Sequence, residues 1–454
     1  MQNNYSYYNL NDLNNDNAEK NFFISCNRKC EEVLIKELKA LGFINQNPDE
    51  KAFAGVHFTG NMEDAFKIIL NSRVASRVYL KLANFEIKLK KDQEKELLYQ
   101  TVRQINWCEI FSAKESIKVS CILGRGLDKR LNSHYLSQIA KDAVVDTFRD
   151  NVGQRPNVNT AFPDIPIVLY FENNNVDILI DISGEPLGNR HYRQNDFAAP
   201  LRENLAASIL YLSEWNYQNE CFIDCMCGSG TMTIEALLMG LNIPPSFIKV
   251  KRALINDSAE RLKHRWTIEN LKFFKENAKF RMKFKELLKS VREQYKLNNK
   301  ISIFASDISA KSLTTTKTHI SFIERELSVK LANDVIFIKK ADATTLKLPS
   351  LNKNQNKGII FANPPYGKRL GAELETDYTD ERDKRDNNTD DNDDQLAKLY
   401  HDLGENFKQN FKDFRAYIFT GNLELRKKIS LQTSSRIELF NGDIECRLLR
   451  YNLY

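Results

Sequence analysis

The segment FANPPYG at positions 361–367 combines residue types that can hold a planar amine. Two prolines after an apolar strand fix an extended backbone and leave carbonyl oxygens that cannot all be paired internally. The Asn363 side-chain oxygen and the Pro364 carbonyl could then both accept hydrogen bonds from one NH2 group, and Tyr366 offers a ring face for stacking. The segment predicts an amine-modifying site. The alternative is a rigid turn with a packing tyrosine.

A second group of residues follows an apolar strand in the segment DCMCGSGT, at positions 224–231. Asp224 ends the strand, and Cys227, Gly228, Gly230 and Thr231 lead into a helix. Glycines allow the backbone to approach a ligand, and the amides at a helix N-terminus favour polar or negative groups. Gly-rich turns also serve only to reverse the chain, so this motif by itself is a weak indication of binding.

Two more carboxylates, Asp307 and Asp342, follow later strands. In dinucleotide-binding folds such a carboxylate accepts hydrogen bonds from a ribose diol, which suits Asp307, and Asp342 could accept from an adenine amino group. A single Asp after a strand more often caps a helix. Acidic residues at three strand ends favour a nucleoside cofactor.

These side chains require a sheet whose strands end at a common edge. From Glu220 onward, apolar strands alternate with helices, which is typical of an open α/β sheet. The segment SRIELFNGDIECRLLRYNL reads as a hairpin with its turn at Asn441-Gly442. We therefore predict a Rossmann-like, mixed and mostly parallel sheet. Its strands are CFIDC, ISIFAS, DVIFIK, GIIFA and RAYIFT.

The N-terminal half indicates an α+β arm. Residues 1–20 are Asn-rich and predict a disordered tail. Two runs of alternating strands and helices follow, at 21–85 and at 116–182, and the helix of the second run could be capped by Ser133. An amphipathic helix near 201–212 leads into the α/β region.

Composition excludes several protein classes. The chain has 454 residues, 42% of them hydrophobic and 28% charged, which fits globular domains and not a disordered chain. It begins without a secretory signal and has no apolar run of membrane-spanning length, so we expect a cytoplasmic protein without a membrane partner. Cys26 and Cys30 lie one helical turn apart, but no second pair supports zinc, so no metal site is predicted.

The formal charge of +6 averages two segments of opposite sign. Residues 249–300 contain sixteen Lys/Arg and six carboxylates, interleaved with aromatic residues. We expect the aromatics to pack mainly inward, onto the sheet, and the lysines to face RNA. Residues 375–394 form an acidic insert that predicts disorder, either as a spacer or as a lid over the RNA site.

Two motifs carry a resemblance to a known class. DCMCGSGT together with ANPPYG resembles the class I S-adenosylmethionine-dependent methyltransferases that modify exocyclic amines. With ASRVYLKL, INWCEIF, KDAVVDTF, RPNV and DISGEPLGNRHYR before them, the chain from about residue 21 resembles the bacterial large-subunit (23S) rRNA guanine-N2 methyltransferases that carry a THUMP domain. It departs from that pattern at Cys225, where Pro is common, at Lys368, where Glu is common, and at His191, where Gly is frequent.

The resemblance implies a domain plan: a ferredoxin-like domain at 21–75, a THUMP RNA-binding domain at 76–183, a linker helix at 184–215 and a methyltransferase domain at 216–454. Bifunctional relatives continue into a second methyltransferase domain. Since this chain stops at Tyr454, we expect that second activity to be absent.

The resemblance also implies site roles. The cofactor S-adenosyl-L-methionine would be bound by the carboxylates and the glycine-loop residues, and the NPPY residues would receive a guanine flipped out of its stack. The expected partner is large-subunit rRNA or its assembly precursor, without DNA. A tRNA guanine or, less favoured, a DNA adenine is an alternative substrate, and a non-catalytic RNA-binding or ribosome-assembly protein is an alternative class.

Overall fold

The computed structural model of the chain describes residues 5–7, 18–43, 51–87, 94–127, 130–193, 201–255, 266–293, 301–333, 335–348, 357–366 and 389–454. The chain forms two compact units. The first contains Met1–Cys26, Leu34–Asn189 and Lys249–Glu293, and the second contains Asn27–Val33, Arg190–Ile248 and Gln294–Tyr454.

The first unit is built on one eight-stranded sheet with the order β3-β4-β2-β5-β8-β7-β6, and β1 also pairs with β5. All neighbours are antiparallel except β6 and β7. The strands are β1 (Tyr5–Tyr7), β2 (Lys20–Ser25), β3 (Lys51–Ala52), β4 (Gly55–Gly60), β5 (Arg77–Glu86), β6 (Ile117–Leu123), β7 (Ile165–Glu172) and β8 (Asn175–Asp181).

Strand β5 joins the two halves of this sheet. Leu80 pairs with Phe22 of β2 on one side and with Ile180 of β8 on the other. The two predicted N-terminal domains therefore share a continuous sheet. Strand β1 lies within the predicted disordered tail, so that part of the tail is ordered by pairing with β5, and residues 8–17 lie outside the described residues.

The helices of the N-terminal half are α1 (Glu31–Ala40), α2 (Met62–Asn71), α3 (Glu94–Arg103), α4 (Trp107–Ile110) and α5 (Ser133–Val152). The cap of α5 differs from the prediction. Asn132, with an extended backbone, accepts a hydrogen bond from the Tyr135 amide through its side chain, whereas Ser133 is already the first helical residue. The N-cap must lie just outside the helix, so Asn132 fills that position.

The second unit contains a seven-stranded sheet with the order β11-β10-β9-β12-β13-β15-β14. The strands are β9 (Cys221–Asp224), β10 (Ile303–Asp307), β11 (Ile336–Lys340), β12 (Gly358–Ala362), β13 (Arg415–Thr420), β14 (Ser435–Asn441) and β15 (Ile444–Asn452). The first five are parallel, and β15 pairs antiparallel with β13 and β14. The predicted mixed, mostly parallel sheet is confirmed.

The details of the hairpin and the acidic insert differ slightly from the predictions. Asn441 pairs with Ile444, so the hairpin turn consists of Gly442 and Asp443, one residue later than predicted. Helix α12 (Thr389–Asn410) begins inside the predicted acidic disordered insert, whose residues 375–388 lie outside the described residues. The other helices of this unit are α6 (Glu203–Leu212), α7 (Thr231–Gly240) and α11 (Ala310–Leu327).

The segment Lys249–Glu293 belongs to the first unit, although it follows a strand of the second sheet. It contains α8 (Phe247–Ala253, which begins two residues earlier), a 3-10 turn at Thr267–Asn270, α9 (Lys272–Glu276) and α10 (Ala278–Glu293). The prediction that its aromatics pack inward is correct where they are described. Their described ring contacts are with one another and with Phe66 of α2, which stacks on Phe284 at 4.1 Å and meets Trp266 edge-on at 5.5 Å. This helix was not predicted as their partner. Tyr295 lies outside the described residues.

Candidate active site

The site lies at the carboxyl edge of the second sheet, where the chain order reverses. Strand β9 is central: β10 follows on one side and β12 lies on the other. Asp224, the last residue of β9, is in register with Ala305 of β10 and Phe361 of β12. Open α/β sheets form a ligand crevice at such a point, because the connections leave it toward opposite faces.

The loop from β9 to α7 needs glycine at two positions. Gly228 and Gly230 have φ values of +54° and +85°. A Cβ at Gly230 would lie 2.7 Å from the Thr316 methyl carbon of α11, whereas a Cβ at Gly228 would meet nothing within 4 Å among the described residues. Thr316 also donates a hydrogen bond to the Gly228 carbonyl at 2.9 Å. The loop is therefore packed tightly against α11 at Gly230 and is open at Gly228.

Asp224 combines burial with an unused acceptor. Its carboxylate is 1% exposed, and Oδ2 accepts a hydrogen bond from Thr233 Oγ1 at 2.7 Å. Oδ1 is buried and has no hydrogen-bond partner among the described residues. Burial raises the pKa of Asp224 to about 7. An acceptor left without a partner costs free energy unless a ligand satisfies it, so Oδ1 is suited to a donor from a bound molecule.

Asp307 braces the glycine loop from the neighbouring strand. Its Oδ2 accepts from the Gly228 amide at 2.9 Å, and its Oδ1 accepts from the Ser309 amide at 2.9 Å, just before α11. Burial raises its pKa as well. Asp307 therefore holds both the glycine loop and Ser309, the N-cap residue of α11, and the lone pairs that remain can accept from a ligand.

The other predicted cofactor residues have more ordinary surroundings. Thr231 accepts a hydrogen bond from Arg193 at 2.9 Å. Cys227 is buried, which raises the pKa of its thiol and keeps it protonated. Asp342 is exposed, and its Oδ1 accepts from the Thr344 amide and hydroxyl in a local turn. No hydrogen bond between described residues joins Asp342 to the glycine loop.

The NPPY segment follows directly after β12. The Asn363 Oδ1 atom is buried and lacks a hydrogen-bond partner among the residues described. Pro364 is buried beside it. An unsatisfied buried acceptor at this strand end is what an amine-binding role for Asn363 requires.

Tyr366 is packed against the second sheet. Its ring is 5% exposed and meets Phe419 edge-on at 6.4 Å, and its hydroxyl accepts a hydrogen bond from Asn441 at 3.2 Å. A Cβ at Gly421 would lie 2.6 Å from this ring. The structure shows the packing tyrosine that we gave as the alternative, and stacking of a base on Tyr366 stays a prediction.

Sequence reasoning missed a buried polar network behind the glycine loop. Arg193 Nε lies 2.5 Å from Glu203 Oε1, and its guanidinium also donates to Thr231, the first residue of α7. Arg190 and Glu235 form a second ion pair at 3.5 Å, with both side chains almost fully buried. These contacts bind the segment after Asn189 to α6 and to α7, the helix that follows the glycine loop.

A histidine completes this network. His319 of α11 is 1% exposed, and its Nδ1 lies 3.1 Å from the Ser229 carbonyl. Its ring meets Tyr192 edge-on at 5.9 Å. Burial lowers its pKa. The signal in the sequence was the RHYR segment at 190–193, whose charges lie about forty residues before the loop that they support.

Three families of protein domains match the chain in succession. The RlmL ferredoxin-like domain matches residues 21–79, the THUMP domain matches residues 93–181, and the RMKL-like methyltransferase domain matches residues 190–378. The chain therefore carries a THUMP domain between an RlmL-type ferredoxin-like domain and an RMKL-like methyltransferase domain. The THUMP and methyltransferase domains recognised from the sequence motifs are confirmed, and the basic segment that packs in the first unit lies inside the methyltransferase match.

The similar curated proteins have related names. The ribosomal RNA large subunit methyltransferase K/L of Cellvibrio japonicus is 32% identical over 437 residues, which are 95% of this chain and 51% of that protein. The protein of the same name from Syntrophotalea carbinolica is 30% identical, over 95% of this chain and 53% of its own length. The chain thus spans about half the length of these relatives. A Synechocystis protein, slr0064, named as a candidate RNA methyltransferase, is 28% identical over 97% of its length.

Solved structures share the fold. SMU.472, a methyltransferase-type protein crystallised with SAH, superposes with a TM-score of 0.72 at 23% identity and covers 96% of this chain and 98% of its own. The predicted Rossmann-like methyltransferase fold with its α+β arm is confirmed by these matches. Among the helices that the structure describes, none is both long and apolar enough to cross a bilayer.

Proposed function

We propose that the chain methylates the exocyclic N2 of a guanine in large-subunit rRNA, with S-adenosylmethionine as the methyl donor. The observation that carries this proposal is the pair of buried, unsatisfied acceptors, Asp224 Oδ1 and Asn363 Oδ1, at the ends of adjacent strands. A site of this kind suits two polar ligands in one crevice. The names of the curated relatives supply the substrate class.

The residues fit the cofactor. The turn around Gly228 and Gly230 brings backbone close to the crevice, and the amides at the start of α7 face a ligand there. Asp224 would accept from the donor groups of the methionine moiety, Asp307 from the ribose and Asp342 from the adenine. When bound, the cofactor supplies an electrophilic methyl group on its sulfonium.

The chain's own contribution to the reaction is alignment of the amine. Asn363 Oδ1 and the Pro364 carbonyl would accept the two N–H groups of the guanine amine, which turns its lone pair toward the methyl group. The amine lone pair would form the new carbon–nitrogen bond to the methyl group that the cofactor supplies, the carbon–sulfur electron pair would stay on the donor's sulfur, and one amine proton would be released to water. Flipping the base out of its stack costs a few kcal/mol, offset by contacts in the pocket. No covalent enzyme intermediate is needed, which agrees with the neutral, buried thiol of Cys227.

A methyl-transfer assay tests this function. Purified protein and tritiated S-adenosylmethionine are incubated with naked 23S rRNA, with assembled large subunits and with bulk tRNA, and the labelled nucleoside is identified. We expect N2-methylguanosine in rRNA or in the subunits. Label in tRNA alone would reject the substrate, and absence of cofactor binding by calorimetry would reject an enzymatic role.

The Asn363→Ala variant tests the assigned chemistry. It should lose turnover while binding the cofactor nearly as well as the unaltered protein, because Asn363 contacts the amine and not the donor. Asn410→Ala, at the last residue of α12, is the matched control and should keep turnover. Near-normal turnover by Asn363→Ala would refute its role.

A further inference from the structure

Helix α10 carries a strongly basic outer face within the first unit. Its sixteen residues include six Lys/Arg and two Glu. The buried side is formed by residues at positions i, i+4, i+8 and i+11, namely Phe280, Phe284, Leu288 and Val291. The remaining positions turn their side chains away from that packing.

Three cations gather on this outer face. At about 100° per residue, Lys285, Lys289 and Arg292 fall within an arc of about 60° on the helix surface. All three are exposed, and none forms an ion pair with another described residue. Elsewhere in this segment, by contrast, Lys283 lies 3.6 Å from Glu63, and Lys275 is bonded to Glu115. We call Lys285, Lys289 and Arg292 the basic stripe.

The packing of the aromatic residues limits what this segment can do with RNA. Trp266, Phe273, Phe274, Phe280 and Phe284 are all at most 8% exposed and contact one another or Phe66. Rings that are held in this way offer no face to a nucleobase. The described part of the segment is therefore left with charge for contacting RNA, and charge reads phosphates and not base identity.

We propose that the basic stripe binds the phosphate backbone of the substrate RNA, in the same unit as the THUMP domain and without base stacking. This inference rests on the proposed function, since it deepens the account of how the RNA is held. Three cations that lack an ion-pair partner among the described residues neutralise phosphates at low entropic cost on this helix, because the four buried side chains hold the helix in place. The contact is therefore sequence-independent and sensitive to salt.

The test measures the salt dependence of RNA binding. Affinity for a 23S rRNA transcript is determined between 50 and 200 mM KCl for the unaltered protein and for K285Q/K289Q/R292Q. If each cation neutralises one phosphate, the slope of log K against log salt becomes shallower by about 2 to 3. S-adenosylmethionine affinity and the thermal unfolding midpoint should not change, because the three side chains are exposed.

Two further variants separate charge number from position. K36Q/K39Q/K412Q removes three charges from exposed sites outside the THUMP domain, two on α1 and one just after α12, and should leave the slope within about 0.5 of the unaltered value. K285R/K289R/R292K keeps the stripe's charges and should restore the slope. Equal losses for both neutralised triples would overturn the inference in favour of general charge.

The remaining outcomes are also decisive. Unaltered RNA binding by K285Q/K289Q/R292Q would refute the stripe and leave the proposed function intact. If that triple instead lost binding only to vesicles of phosphatidylserine and phosphatidylcholine, the stripe would be a membrane contact and the inference would be wrong. Failure of the unaltered protein to bind any rRNA would refute the proposed function and the stripe together.

Discussion

Replacement of Gly230 by alanine tests how the glycine loop is built. The backbone of Gly230 has a φ of +85°, and an added Cβ would lie 2.7 Å from the methyl carbon and 2.9 Å from the hydroxyl of Thr316. An L-residue in the left-handed region costs about 1–2 kcal/mol, and overpacking a tight site costs about 1–3 kcal/mol. Gly230→Ala should therefore lower the free energy of unfolding by about 2–5 kcal/mol.

Gly228 provides the matched control. Its φ is +54°, but an added Cβ would meet no described atom within 4 Å. Gly228→Ala should consequently show only the backbone cost of about 1–2 kcal/mol. The difference between the two variants isolates the steric clash from the backbone strain that they share.

The assay is urea-induced unfolding followed by circular dichroism, with cofactor affinity measured by calorimetry on the same proteins. Thr316→Ser removes the methyl carbon that a new Cβ would strike, so it should recover about 1 kcal/mol in the Gly230→Ala background. It should recover nothing in the Gly228→Ala background. Cofactor affinity should fall for Gly230→Ala, because displacement of Thr316 breaks its hydrogen bond to the Gly228 carbonyl.

Equal losses of stability in Gly228→Ala and Gly230→Ala would refute this reasoning, since they would show that the contact with Thr316 has no energetic weight. A Thr316→Ser effect of the same size in both backgrounds would refute it as well. Either result would mean that the loop relaxes away from α11 at little cost.

Three other predictions concern the same unit. Burial raises the pKa of Asp224 from 3.8 to about 7. Between about pH 4 and 7 the native state therefore holds a proton that the unfolded chain has lost, and the contribution of Asp224 to the free energy of unfolding falls as the pH rises. The side chain in Asp224→Asn cannot ionise, so the free energy of unfolding of this variant, relative to the unaltered protein, should increase from pH 5 to pH 7 in urea titrations. A difference that stays constant with pH would contradict the raised pKa of Asp224. Glu235→Gln should cost about 3–5 kcal/mol in the same titrations because it leaves the buried charge of Arg190 without its counter-ion. Tyr366→Phe removes only the hydroxyl that accepts from Asn441, so it should lower the free energy of unfolding by about 1 kcal/mol and keep turnover within a few-fold. Complete loss of methyl transfer would show a chemical role for the hydroxyl.

The strands of the second sheet could be predicted because their signals are local. GIIFA and RAYIFT are continuous apolar runs, as buried parallel strands require, and both form strands at those positions. Asp224 and Asp307 end their strands, so the rule that ligands bind at the carboxyl edge already placed them near one another. The hydrogen bond by which Asp307 holds the Gly228 amide was not evident, because it joins residues 79 positions apart.

The errors arose where a partner is distant in the chain. The aromatic residues of 266–284 signal burial by their spacing, but the spacing does not name the surface that buries them. That surface includes Phe66, about two hundred residues earlier. Tyr366 gave the same ambiguity, since an aromatic ring after a Pro-Pro turn can stack on a ligand or pack on a strand. Its contacts with Phe419 and Asn441 show that the ring packs on the second sheet, and stacking of a base on it stays a prediction.

The sequence by itself determined the class of this protein, because its motifs and strand periodicity depend on residues close together in the chain. Only the tertiary structure decided which distant segments pack together. It joins the N-terminal half in a single sheet, places 249–293 in the first unit, and forms the Arg193 and Glu235 ion pairs behind the glycine loop. Such partners follow from packing and from the pairing of buried charges, which act between residues far apart in the chain. Burial of the aromatic face of α10 against α2 leaves the basic stripe on its exposed side.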